Sequence, residues 1–148
     1  MKLRARPWLS EAKATMLLLE IHIADQCYLA PQTHVDHLSQ LLPTMAPEQD
    51  ARGRPLIYAE LGPLLGYQAE EKPDRHHALT VTLRRRTVVL LVDRVDRLTQ
   101  PEEVHPLPAL MRKHLARPWF TGAVIFEQRL LLVLDLQRIA TDIALGVV

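Results

Sequence analysis

The chain offers seven histidines, one cysteine and 17 Asp and Glu residues as groups that could bind metal, move protons or attack a substrate. His34 and His37 stand three apart around Asp36. No second His or carboxylate cluster with recognisable ligand spacing accompanies them, so they read as solvated or hydrogen-bonded side chains. The neighbours His76 and His77 would point to opposite faces of a strand. His22, His105 and His114 are isolated in sequence. Cys27 lies beside Tyr28 in an apolar stretch and reads as a small buried hydrophobe rather than a nucleophile. The only serines, Ser10 and Ser39, sit in no G-x-S-x-G elbow, and the five glycines form neither a dinucleotide fingerprint nor a phosphate loop. Asp93, Asp96 and Asp135 each end or interrupt an apolar run. A carboxylate there can be a base, but capping a turn or pairing with one of the many arginines is the commoner role. The residues therefore indicate no catalytic group, no metal and no cofactor.

Arg84-Arg85-Arg86 is the one dense basic run. A small β-barrel can bind nucleic acid with such a loop, but no aromatic residue interleaves with these arginines. The formal net charge is +1 and aromatic residues are 5% of the chain, so neither a strong field nor a base-stacking surface is expected. A solvated hairpin tip that discourages edge pairing is the better reading. One cysteine excludes an internal disulfide and fits a reducing compartment. The apolar run Met16–Leu19 ends at Glu20, too short for a signal segment, and no stretch approaches the roughly 20 apolar residues that span a bilayer. A cytoplasmic protein without direct membrane insertion is expected.

These residues must be positioned by elements that read as mostly β. At 148 residues the chain suits one domain, or two small lobes sharing a core. Residues 1–15 read as an arm, partly helical and loosely docked, and 16–148 as the domain. Met16–Ile23 alternates, with Leu17, Leu19, Ile21 and Ile23 on one face. Ala24-Asp25-Gln26 turns into a short strand at Cys27–Ala30. Val35–Leu42 fits either a strand or a short helix. Pro43–Arg54 is a loop, Leu56–Ala59 a brief strand, and Glu60–Gly66 one or two helical turns stopped by Gly66. After a polar loop at Gln68–Arg75, Ala78–Leu83 and Thr87–Val92 form a hairpin around the arginines. In its return strand Val88–Val92 is continuously apolar, as expected of a strand buried on both faces. The chain bends at Asp93, and alternation continues to Leu98. Thr99–Glu103 looks like a capped helix start, and Pro106, Pro108 and Pro118 predict irregular structure. Thr121–Phe126 and Arg129–Leu134 form a second hairpin, and Asp135 caps a final helix, Leu136–Leu145. Short strands at near-regular spacing indicate barrels or a sandwich.

An ordered series of motifs over about residues 16–145 resembles the CheW-like chemotaxis coupling family. Leu17–Ile21 followed by Tyr28 is similar to the family's opening strand pair. Arg52-Gly53 followed by Leu56–Leu61, and then Leu64-Leu65-Gly66, is similar to its central segment. Leu90–Val95, the Pro101–Val104 stretch with Pro106, and Thr121-Gly122 followed by Arg129–Leu136 resemble its C-terminal half. Several positions depart from the family pattern. The stretch before Arg52 is shorter, with Asp50 where the family has Asn. Ile57 stands in place of Pro and Glu60 in place of Asp, and His37 occupies a position that is often acidic.

The resemblance implies two SH3-like five-stranded β-barrel lobes packed around a shared core, with a C-terminal helix. It implies an adaptor without catalytic residues or cofactor. Its partners would be a chemoreceptor cytoplasmic tip and the regulatory domain of a chemotaxis-type histidine kinase. The service could be flagellar or that of a pilus or twitching chemosensory system. The partner-binding positions carried over are Val35, Arg52 and Gly53. Arg52 reads equally as a cation for a partner or a lock on its own loop, Gly53 as a residue of positive φ or close backbone approach, and Val35 by composition as core. A nucleic-acid-binding barrel using Arg84–Arg86 remains the alternative of another class, and a metal-dependent or hydrolytic enzyme using Asp93 or His34 and His37 a third.

Overall fold

Alternating apolar residues pair into three sheets in a computed structural model, which describes residues 14–41, 46–68 and 76–148. The strands are β1 (Ala14–Met16), β2 (Leu18–Ile23), β3 (Gln26–Pro31), β4 (His37–Leu41), β5 (Leu56–Glu60), β6 (His76–Thr82), β7 (Thr87–Val92), β8 (Arg94–Arg97), β9 (Glu102–Val104), β10 (Phe120–Phe126) and β11 (Arg129–Leu134). Three helices accompany them: α1 (Leu61–Leu64), α2 (Ala109–His114) and α3 (Leu136–Ala144). The fold is mainly β. The arm expected at 1–15 falls almost wholly outside the described residues, as does most of the loop expected at 68–75.

The first lobe is a closed barrel. A sheet of order β10-β11-β3-β2-β8 forms most of its wall. β1 runs into β2 across Leu17 and pairs antiparallel with β9, and His105 bridges from the end of β9 to Ala123 on β10. The wall thereby returns to its start and leaves no open edge there. Leu18, Leu29, Val104, Val124, Leu131 and Val133 fill the interior. The second lobe is built on a sheet of order β4-β6-β7-β5, in which β5 runs parallel to β7.

Between the lobes lies a larger core. Leu19, Ile21 and Ile23 enter it from β2, Leu79 and Val81 from β6, and Val88, Leu90 and Val92 from β7. Leu134, Leu136, Ile139, Ala140 and Trp119 complete it. β2 thus serves both cores, Leu18 facing one and Leu19, Ile21 and Ile23 the other, as a period of two requires. β7 is continuously apolar from Val88 to Val92, and four of these five residues, Val88, Val89, Leu90 and Val92, are buried. The C-terminal helix starts where the sequence predicts: Asp135 Oδ1 accepts the Arg138 N–H at 3.1 Å.

Three local expectations are corrected. Leu17 is 44% exposed, because the break between β1 and β2 takes it out of the alternation. Thr99–Glu103 does not begin a helix; Glu102–Val104 is strand β9, since pairing with β1 and burial of Val104 outweigh a local capping signal. The proline-rich stretch holds helix α2, with Pro108 just before its first turn, where a missing N–H costs nothing. Of the ambiguous Val35–Leu42, the described residues 35–41 are extended chain and strand after a 3-10 turn at Gln32–His34; Leu42 lies outside the described residues.

Candidate functional site

Val35 and the Arg52-Gly53 pair lie on separate segments, each beside a cavity that His37 also lines, the pair through Asp50 and Ala51. Val35 follows the 3-10 turn, is half-buried, and packs against the shared core. With Leu19, Gln32, Asp36, His37, Leu38 and Arg97 it lines a recess of about 170 Å³ where β4 leaves the lobe junction. Gln32 braces this recess by donating to the carbonyls of Leu18 at 3.2 Å and Leu98 at 3.3 Å. Asp36 holds the other wall: its N–H donates to Thr80 O at 2.8 Å and its Oδ2 accepts from Thr82 N at 2.7 Å.

His37 lines both this recess and a larger cavity of about 390 Å³. The larger one lies against the second sheet and reaches Asp50 and Ala51. Its lining mixes the hydroxyls of Ser39, Tyr58, Thr80, Thr82 and Thr87 with apolar Pro47, Leu56, Ala78 and Val89.

The Arg52-Gly53 turn is organised by Asp50. Its Oδ1 accepts the N–H groups of Arg52 and Arg54, both at 2.9 Å, an Asx-type turn. Its Oδ2 accepts from Arg54 Nε at 3.0 Å and from Thr87 Oγ1 at 3.3 Å. Gly53 donates to Asp50 O at 3.0 Å and has φ +77°. A Cβ added at Gly53 would meet nothing within 4 Å, so this glycine supplies backbone conformation rather than close approach. The sequence left Arg52 open between loop lock and partner cation. The lock is Arg54; the Arg52 guanidinium is exposed and has no partner among the described residues. Sequence reasoning missed Asp50 as the centre of this turn, although Asp with glycine three residues on is a readable turn signal.

These donors hold the Asp50 carboxyl below its ordinary 3.8, the Arg54 amide first among them, then the Arg52 amide and the Arg54 guanidinium, against partial burial. A carboxylate with a lowered folded pKa stabilises the fold above its unfolded pKa and loses that contribution as pH falls through the folded value. Asp50→Asn is therefore expected to lower the melting temperature at pH 7. The gap from the parent should close as pH drops below about 4, in a pH series of thermal melts.

The other chemistry-bearing residues are dispersed. His34 and His37 do not converge: His34 Nδ1 is buried 4.0 Å from Asp135 Oδ1, whereas His37 is exposed on β4. Burial lowers the His34 pKa and Asp135 partly offsets this. Asp93 Oδ2 accepts the Ala24 N–H at 2.7 Å, which closes the β2–β3 turn, and Asp135 caps a helix. Cys27 is half-buried and burial raises its pKa, which keeps the thiol protonated. Arg84 and Arg85 are exposed at the hairpin tip, while Arg86 donates to Ala144 O at 3.4 Å.

A CheW-like domain model matches residues 18–144, nearly the whole chain. The chain belongs to the CheW-like family. Among solved structures this CheW-like chain is similar to the scaffolding protein TtCheW from Thermoanaerobacter tengcongensis, with a TM-score of 0.62 and 15% identity. The likeness covers 82% of this chain and 90% of that one, and at this identity it speaks for the fold. No curated protein matches the sequence. Among the described residues, no helix of this CheW-like chain is long and apolar enough to cross a membrane.

Proposed function

We propose that this chain is a non-catalytic adaptor that couples a chemoreceptor cytoplasmic tip to the regulatory domain of a chemotaxis-type histidine kinase. In this reading it acts in the cytoplasm, with residues 16–148 as one domain and 1–15 as an arm. Membership of the CheW-like family supports the adaptor class. The observation that carries the interface is the exposed Arg52 on the turn organised by Asp50; Asp50 and Ala51 line a cavity that shares His37 with the Val35 recess. A recess with apolar side chains at Val35 and Leu38, and an exposed cation on the neighbouring turn, suit the tip of a helical hairpin carrying an apolar anchor and a carboxylate.

Arg52→Glu tests it. The Arg52 side chain is exposed, so the melting temperature should barely move. Affinity for a receptor tip or kinase regulatory domain from the same organism should fall about tenfold, roughly 1.4 kcal/mol. Unchanged affinity for both partners in calorimetry would remove Arg52 from the interface, and absence of binding by the parent chain would remove the adaptor reading itself.

A further inference from the structure

His34 ends the 3-10 turn Gln32–His34, one position before Val35. Its Nδ1 stands 4.0 Å from Asp135 Oδ1 at the head of helix α3. This nitrogen is buried and has no hydrogen-bond partner, and among the described residues no other buried side-chain nitrogen or oxygen is left so. Buried polar atoms are nearly always satisfied, so an orphan next to a carboxylate requires a reason.

In the neutral ring neither tautomer satisfies it. A bare Nδ1 turns its lone pair toward a carboxylate, and an Nδ1–H at 4.0 Å is beyond hydrogen-bond reach. A protonated ring carries a proton on both nitrogens and a charge opposite to that of Asp135. Closing the gap by about 1 Å then makes a charge-assisted hydrogen bond. Asp135 Oδ1 already accepts the Arg138 N–H at 3.1 Å, and a carboxylate oxygen has room for a second donor, so the helix cap survives. Asp135 is the charged group that faces the ring; burial opposes it and keeps the imidazole neutral at pH 7. With 18% of its side chain exposed, His34 can take its proton from solvent.

The turn is pinned on one side. Gln32 donates its N–H to Leu17 O at 3.1 Å, and its side chain to the Leu18 and Leu98 carbonyls. A pull on His34 is therefore taken up on the other side, at Val35, which lines the recess with Leu38 and Arg97. We propose that His34 and Asp135 form a proton-operated latch, in which protonated Nδ1 closes on Asp135 Oδ1 and shifts Val35 within that recess. The latch does not depend on what occupies the recess, so it stands apart from the adaptor reading.

NMR of the full chain between pH 8 and pH 5 tests it. The His34 ring should titrate below the ordinary imidazole value of about 6.5, and the Val35 amide and methyl signals should move with the same midpoint. His37, Asp36 and Arg97 line the same recess, and His37 is the one of them that can titrate in this range. His37→Gln should therefore leave the Val35 movement in place, whereas His34→Gln should abolish it. Asp135→Asn can still accept the Arg138 N–H through its side-chain carbonyl, and should lower the His34 midpoint further by removing the counter-charge. The parent titration decides the matter even where a variant fails to fold. A parent His34 midpoint at or above 6.5, Val35 signals that do not follow it, a Val35 response that survives in His34→Gln, or an unchanged His34 midpoint in Asp135→Asn would each overturn the latch.

Discussion

Trp119→Ala is expected to destabilise the protein by about 3–5 kcal/mol, as deletion of a buried aromatic side chain does. Trp119 is 2% exposed and lies where both lobes and helix α3 meet. Its Nε1 donates to Asp142 Oδ2 at 2.8 Å, and its carbonyl accepts the Asp135 N–H at 2.7 Å at the head of the same helix. Asp142 is itself 8% exposed and has one further partner, Arg138 Nε at 3.4 Å. Removing the indole therefore opens a cavity and also leaves a buried carboxylate short of a donor. Trp119→Phe separates the two effects: it keeps most of the packing and loses only the donor, with an expected cost of about 1–3 kcal/mol. Urea denaturation of both variants reads the difference. If alanine costs no more than phenylalanine, the packing share assigned to the indole is wrong.

Gly122→Val should cost about 3 kcal/mol or more, the upper end of what overpacking does. A Cβ at residue 122 would stand 2.4 Å from the His105 carbonyl oxygen and 2.7 Å from Val104 Cγ1. The oxygen cannot retreat cheaply. It accepts the Ala123 N–H at 2.8 Å, and the His105 N–H donates back to Ala123 O at 2.8 Å. This pair joins β9 to β10 and closes the first barrel. Even Gly122→Ala forces the same contact, so it should lose a large part of the same stability. Hydrogen exchange gives a second readout, because the His105 and Ala123 amides should exchange much faster while those of β6 and β7 stay protected. Gly53→Ala is the contrasting case: its Cβ would meet nothing, and only the positive φ costs, about 1–2 kcal/mol. Similar losses at the two glycines would show that close approach is not what Gly122 provides.

Both predictions concern residues whose importance was only partly legible in the sequence. Gly122 stood out through its Thr-Gly motif, but its reason is a carbonyl 17 positions away in the chain. Trp119 follows Pro118 in the stretch expected to be irregular and carried no signal of its own in the sequence. The Arg52-Gly53 turn was readable as a turn and as a family motif. Which arginine the turn locks depends on where the Asp50 carboxylate points, and Arg52 and Arg54 are indistinguishable by type.

By itself the sequence determined the mainly β class, both long hairpins, the fully covered strand Thr87–Val92 and the Asp135-capped helix. These rest on short-range chemistry: a period of two, turn residues and a capping side chain, each contained within a few neighbouring positions. Tertiary structure alone decided the rest. Residues 102–104 became strand rather than helix because β1 offers them an edge and the barrel buries Val104. His37 comes to line cavities that reach both Val35 and Asp50, and Glu20, His22, Asp96 and Arg94 meet across β2 and β8, because strand register places distant residues side by side. Register follows from how the apolar faces of both lobes are buried together, and no window of the sequence contains that information.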